Sequence, residues 1–354
     1  MNPVERGLRH LDDLQQRHRA TAFVFGVVKK YGDDNGGALA VQLTYALFTT
    51  IFPLFLLLVT LLALVLSDDP AARHAVLHSA FGEFPIVGTQ LSRNIHVLHR
   101  NSAFGLAIGI IGLAYGSTGL AGTGLYAMAQ IWNIPGAERP NYVTRLLRSL
   151  LFLSLLAIGV AITTVLSSFG TFGVHDFWLG VASEIVAAIV NVGLYLAAFR
   201  VLTPRQVGLR TLVTGAVFGG VAWTVLQALG GYVVGHYLRG DNAVYGLFGT
   251  VLGLIAWLYL CSEVTLYAAE INAVLCRGLW PRGMIQPPLT DADQRSLVLQ
   301  ATQNQRRPEH EVVSRVRGRP MAEREYLRAG RQLDPDMVAT ELSVPESGSE
   351  RPAG

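Results

Sequence analysis

The stretch GALAVQLTYALFTTIFPLFLLLVTLL, Gly37 to Leu62, decides the fold. It lies within a run from Asn35 to Ser67 that contains no Asp, Glu, Lys or Arg. About 20 mostly apolar residues cross a hydrocarbon core of about 30 Å as a helix, so this run is long enough to span a bilayer. Inside lipid the backbone finds no water to bond, and a single segment satisfies its own N–H and C=O groups only as an α-helix. Working outward, four more charge-free runs occur at 101–137, 149–175, 211–238 and 242–262, and 177–199 is interrupted only by Glu184. We place helices near 38–66, 103–129, 146–169, 179–200, 209–236 and 244–274. The expected fold is an all-α polytopic bundle of six transmembrane helices.

Composition agrees. The chain is 51% hydrophobic and 15% charged, against about 25% charged in soluble domains. Residues 1–37 hold 11 of the 53 Asp, Glu, Lys and Arg, and 277–354 hold 23, leaving 19 for the 239 residues between. That distribution excludes a disordered chain, a collagen and most soluble enzymes. Cys261 and Cys276 have no spacing for a disulfide framework or a metal knuckle. A net charge of +3 is too mild to argue for nucleic acid, so none is expected as a partner. Membrane lipids are.

Three regions follow. Residues 1–37 form a cytoplasmic amphipathic segment, with one helix over Val4–Tyr31 lying on the membrane surface. Its only apolar run, Thr21–Val28, is short and followed by Lys29 and Lys30, so no cleaved signal peptide is expected. Residues 38–275 form the membrane domain, and 276–354 a cytoplasmic tail, largely disordered, with a short helix at Asp291–Gln303. In the first outer loop, Ala71–Phe84 and Ile86–Leu98 have the spacing of two interfacial helices. With the N-terminus inside, the inner segments before the tail carry twelve Lys and Arg and the outer ones four. This positive-inside bias places both termini in the cytoplasm of a bacterial plasma membrane.

Glycines mark packing faces: Gly105, Gly109, Gly112, Gly116 and Gly119 in the second helix, and Gly249 and Gly253 in the sixth. Small residues let helices approach closely where lipid offers no hydrophobic reward for association. Polar residues in the spans are few. Glu263 and Glu270 share a stripe of the sixth helix with Tyr259 and Tyr267, followed by Asn272. The first helix brings Gln42 and Tyr45 ahead of the mid-span Pro53, and the second ends near Asn133. A carboxylate near the bilayer centre costs about 2.5–3.5 kcal/mol and must face protein or water. These residues either line a cytoplasm-facing polar cavity, with Glu263 and Glu270 contacting a substrate or coupling ion, or lock the bundle by interhelical hydrogen bonds. The pairs His74/His78 and His96/His99 lack a further ligand, and we expect neither a metal nor a cofactor. No phosphate loop, HExxH or GxSxG occurs, so no catalytic residue is assigned and no enzyme is expected.

Several of these segments resemble one family. Ala38, Gln42, Leu43, Tyr45, Phe52, Pro53 and Leu54 match the first-helix signature of the YihY/BrkB membrane proteins. Tyr245-Gly246, Trp257-Leu258-Tyr259 and Ala269-Glu270-Ile271-Asn272 resemble its last helix. YGSTG (Tyr115–Gly119) and IWNIPGAERP (Ile131–Pro140) resemble the second helix and its following loop. Ala46 replaces the second tyrosine of the usual double-tyrosine form. The resemblance covers about residues 20–280 and implies a six-span inner-membrane protein with cytoplasmic termini. It also implies an envelope role, through relatives linked to serum resistance or envelope lipid export. The family's older "ribonuclease BN" label finds no phosphodiester-cleaving site here. The leading expectation is transport or organisation of an envelope lipid or another amphipathic solute. A non-transporting membrane scaffold, and at lower weight a ribonuclease, are the alternatives.

Overall fold

A computed structural model describes residues 3–65, 102–139, 177–203, 207–237 and 246–286, and, with short gaps, 141–159 and 289–312. All regular structure among them is helical. Two helices, α1 (Pro3–Arg17) and α2 (Arg19–Asp33), precede the 30-residue α3 (Gly36–Val65). α4 is Ser102–Ile131, followed by a 3-10 turn at Gly136–Glu138 and a helical segment α5 over 143–152. Then come α6 (Phe177–Leu202), α7 (Leu209–Tyr237), α8 (Gly246–Arg277) and α9 (Asp291–Gln303).

Among the described residues four stretches are long and apolar enough to cross a membrane: Gly36–Leu54, Ile185–Leu202, Leu209–Gln227 and Val251–Arg277. α4, also 30 residues long and without a charged side chain, packs lengthwise on α3. The span expected at 146–169 falls only partly within the described residues, and the interfacial helices expected at 71–98 fall outside them. The tail beyond residue 312 is likewise outside.

The bundle is antiparallel. One core cluster contains Leu39 and Leu43 near the start of α3, Met128 and Ile131 at the end of α4, and Phe199 and Leu202 at the end of α6. It also contains Leu212 at the start of α7 and Leu266 and Ala273 toward the end of α8. Those five helix ends therefore share one end of the bundle, the alternation that consecutive spans require.

Close approach depends on glycine where it can be measured. A Cβ on Gly112 would meet Pro53 at 2.9 Å, and one on Gly116 would meet Thr50 at 3.0 Å. Gly109 is buried, Gly249 and Gly253 are half-buried, and a Cβ on Gly119 would meet nothing within 4 Å. The surroundings of Gly105 fall outside the described residues. The tightest contact lies elsewhere: a Cβ on Gly215 of α7 would stand 2.0 Å from the Ala268 carbonyl of α8.

The N-terminal segment differs from a single surface helix. It breaks at His18, whose extended backbone (φ −98°, ψ 118°) separates α1 from α2. The break lets both helices fold onto the segment that follows α8. Asp12 of α1 accepts from the Met284 N–H (3.0 Å), and Lys29 of α2 donates to the Gly283 carbonyl (2.6 Å) and to Asp293 (2.9 Å). α9 forms where a short helix is expected, capped by Thr290 and Asp293 bonding reciprocally. Residues 278–286 and 289–303 and the N-terminal helices together make a polar cap on the shared end of the bundle.

Asp293 holds that cap. It is buried, and its carboxylate accepts from Lys29, from Arg282 Nε (2.8 Å), from the Gly283 N–H (3.1 Å) and from Thr290. Burial pushes its carboxyl up, but these donors outweigh burial and hold it below the usual carboxylate range. A depressed folded value means that the contribution to stability is complete above the unfolded pKa, near 3.9, and is lost as pH falls through the folded value. The cap should therefore stay closed at neutral pH and loosen in strong acid. Asp293→Asn should open it at pH 7, seen as faster hydrogen exchange over 281–300. Unchanged exchange would remove Asp293 from this role.

Candidate functional site

Two regions of the bundle combine polar groups with burial, and they lie at different depths. The outer boundary of the first begins with the end of α4. Asn133 adopts the left-handed conformation (φ 44°), which stops the helix, and the Ile134 N–H turns back to the Ala129 carbonyl (2.8 Å). Asn tolerates this conformation better than most residues because its short polar side chain bonds locally. Here the side-chain amide donates to Asp34 (3.4 Å) and Gln303 (3.1 Å). The exposed carbonyls at this helix end attract cations. Lys30 donates to the Ile131 carbonyl (2.9 Å) and Arg277 to that of Trp132.

Lys30 is 0% exposed. It pairs with Asp34 one turn ahead and stands 3.6 Å from Glu270, which is also fully buried. Arg277 acts on Asp34 through space, so two cations face two carboxylates. The cluster ties α2, α4 and α8 together. Neither Glu270 oxygen has a hydrogen-bond donor in proper geometry among the described residues.

The second region is a partly open cavity of about 490 Å³ inside the bundle, between α3, α4, α5 with the residues just after it, α6, α7 and α8. Its walls are mainly apolar, including Leu120, Met128, Phe199 and Trp257. A short polar belt interrupts them. Tyr195 and Thr265 bond through their hydroxyls (3.1 Å), Asn191 donates to Thr224 (3.1 Å), and Thr44 donates to Ser262 (3.3 Å). Asn191, Tyr195, Ser262 and Thr265 line the cavity. A chamber of this size and lining suits a mostly apolar molecule with few polar groups.

The residues singled out by sequence separate among these places. Glu270 and Asn133 belong to the buried charged cluster. Asn272 is fully buried and clamps α8 to α7, accepting from the Gly215 N–H (2.7 Å) and donating to the Leu212 carbonyl (3.2 Å). Glu263, half-buried, gathers Tyr31, Tyr259 and Tyr267 around it. Pro53 packs under Gly112. Gln42 and Tyr45 are exposed on α3, Tyr45 to 71%, and neither lines the cavity.

Lys30, Asp34, Asp293 and Arg282, which sequence reasoning did not single out, form the buried cap contacts. A signal for Lys30 was present. Phe23, Val27 and Lys30 follow at i, i+4 and i+7, so Lys30 shares the apolar face of α2. Lys29, one step of about 100° away, faces the cap instead.

Comparison with known proteins finds several bacterial relatives, most of them named as membrane proteins. It is 23% identical to the ribonuclease-like protein YfkH of Bacillus subtilis (strain 168), over 72% of this chain and 95% of that one. It is 24% identical to a UPF0761 membrane protein of Psychrobacter sp. (strain PRwf-1), over 84% of this chain and 56% of the relative. A UPF0761 membrane protein of Pseudomonas paraeruginosa is 24% identical over 73% of this chain and 64% of its own length. The chain thus spans nearly all of the Bacillus protein and less than two thirds of the other two. No solved structure matches. The profile of the Virulence factor BrkB family matches residues 27–284, from the buried-lysine helix α2 through the end of α8 and into the cap, and the chain belongs to that family.

Proposed function

We propose that this protein is a six-span, multi-pass protein of the bacterial plasma membrane that moves or organises an envelope lipid or another amphipathic solute. Both termini lie in the cytoplasm, so the polar cap faces inward. The observation that carries the reading is the internal cavity: about 490 Å³, apolar, and crossed by the belt of Asn191, Tyr195, Ser262 and Thr265. Lipid tails alone would need no such belt, and a polar solute would not tolerate such walls. The sequence bias of twelve inner against four outer Lys and Arg supports the orientation. The ribonuclease-like name of the Bacillus relative is not carried over, and purified protein should leave RNA intact.

The test compares a deletion strain with two substitutions. Ala198 lines the cavity, and Ala198→Trp fills it; Val225 is 53% exposed, and Val225→Trp points away. Deletion should alter lipid distribution or sensitivity to envelope stress. Ala198→Trp at normal expression should reproduce that phenotype in full, and Val225→Trp should restore the wild type. Unchanged lipid composition, permeability and stress tolerance in the deletion strain would overturn the proposal.

A further inference from the structure

Glu263 stands where the polar cap gives way to the apolar span. Seven residues beyond it on α8 the cap begins with Glu270 and Lys30. On the other side, Leu252, Ile255, Ala256, Tyr259 and Leu260 of α8 line a groove of about 470 Å³ with Val41 and Thr44 of α3. Leu252, Ile255, Leu260 and Val41 are exposed, so the groove opens on the outside of the bundle and not into the internal cavity. Tyr259 belongs both to this groove and to the group around Glu263.

The Glu263 carboxylate accepts from the Tyr31 hydroxyl (3.3 Å). Burial, then the charge of Glu263, hold the Tyr31 phenol above its ordinary value, which keeps it a donor. Tyr31 stacks on Tyr267 with ring centroids 4.3 Å apart. Among the described residues no Lys, Arg or His forms an ion pair with Glu263. By contrast Asp33, Asp34, Glu270 and Asp293 all have cationic partners. A carboxylate within a span is costly unless a cation or water meets it, and tyrosine faces attract ammonium groups. The charge is thus complementary to an amine, and the groove leading away from it to an acyl chain.

We propose that this outer groove between α3 and α8 binds an amine-bearing phospholipid, phosphatidylethanolamine in type, with its ammonium on Glu263 among Tyr31, Tyr259 and Tyr267 and one acyl chain along Leu252–Leu260. The site needs only that the chain sit in a bilayer. It does not rest on the reading of the internal cavity, whose walls do not include Glu263 or Ile255.

The test is native mass spectrometry of the full-length protein, equilibrated with micelles containing equal phosphatidylethanolamine and phosphatidylglycerol. The parent protein should retain the ethanolamine lipid preferentially. Glu263→Gln should reduce that preference by about tenfold or more, the scale of losing one charged hydrogen bond. Ile255→Trp fills the groove from an exposed position without touching the carboxylate, and should displace the same lipid. Thermal unfolding of each variant checks that it is folded. Equal retention of both lipids by the parent, or an unchanged preference in both folded variants, would overturn the site. Neither substitution alters the cavity walls, so an envelope phenotype that survives them separates this result from the transport reading.

Discussion

Lys30→Met should destabilise the folded protein by about 3–5 kcal/mol, the usual result of removing one member of a buried ion pair. Lys30 is fully buried against Asp34, Glu270 and the Ile131 carbonyl. Methionine fills much of the same volume but leaves two buried carboxylates without their nearest cation and the Ile131 carbonyl without its side-chain donor. Glu270→Gln should behave differently. Lys30 then keeps Asp34 and Ile131, and only a 3.6 Å contact without hydrogen-bond geometry is lost, so no buried charge is left unpaired and the cost should be well below that of Lys30→Met. Thermal unfolding in one detergent measures both. Equal losses for the two variants would show that the cluster is not organised around Lys30.

Gly215→Ala should cost about 2–4 kcal/mol, although it adds one methyl group. The new Cβ would lie 2.0 Å from the Ala268 carbonyl and 2.5 Å from the Asn272 amide nitrogen. Backbone cannot yield as a flexible side chain can, so α7 must move away from α8. That movement breaks the 2.7 Å bond from the Gly215 N–H to Asn272 and strands a buried amide. Gly119→Ala is the control. Nothing lies within 4 Å of its Cβ, and the helix should gain about 0.5–1 kcal/mol. Similar stability changes at the two glycines would mean that α7 and α8 are not packed as described.

These contrasts bear on what sequence can show. Helix positions were legible because charge-free runs register burial in lipid directly. α7 and α8 begin and end within three residues of the expected 209–236 and 244–274. Glycine recurrence pointed correctly to close approach in α4, where Gly112 and Gly116 meet Pro53 and Thr50. Gly215 and Gly219 show the same spacing in α7, but a spacing pattern cannot tell which glycine faces a backbone carbonyl on another helix. Depth in the span was also misleading for the glutamates. Glu263 is the deeper along α8, yet Glu270 is the fully buried one. The difference arises from α2 and α9, which cover the end of α8 where a bare bundle would meet solvent. Their docking depends on ion pairs between residues 249 to 264 positions apart, such as Lys29 with Asp293 and Arg282 with Asp33. Local periodicity carries no record of such partners. The cavity belt forms only where α7 and α8 bring Thr224 and Thr265 to Asn191 and Tyr195 of α6, partners that local sequence does not register.

The central claim, that the internal cavity takes an amphipathic lipid or solute, has a direct measurement. The chain has five methionines, and among the described residues Met128 alone lies in a long apolar helix, 2% exposed on the cavity wall. Cells grown with photo-methionine therefore place one nearly isosteric crosslinker inside the cavity without further mutation. After irradiation in intact membranes, the account expects the peptide containing Met128 to carry an amphipathic adduct that Ala198→Trp abolishes. A Met128 peptide carrying only crosslinks to the protein itself, in wild type and variant alike, would contradict it.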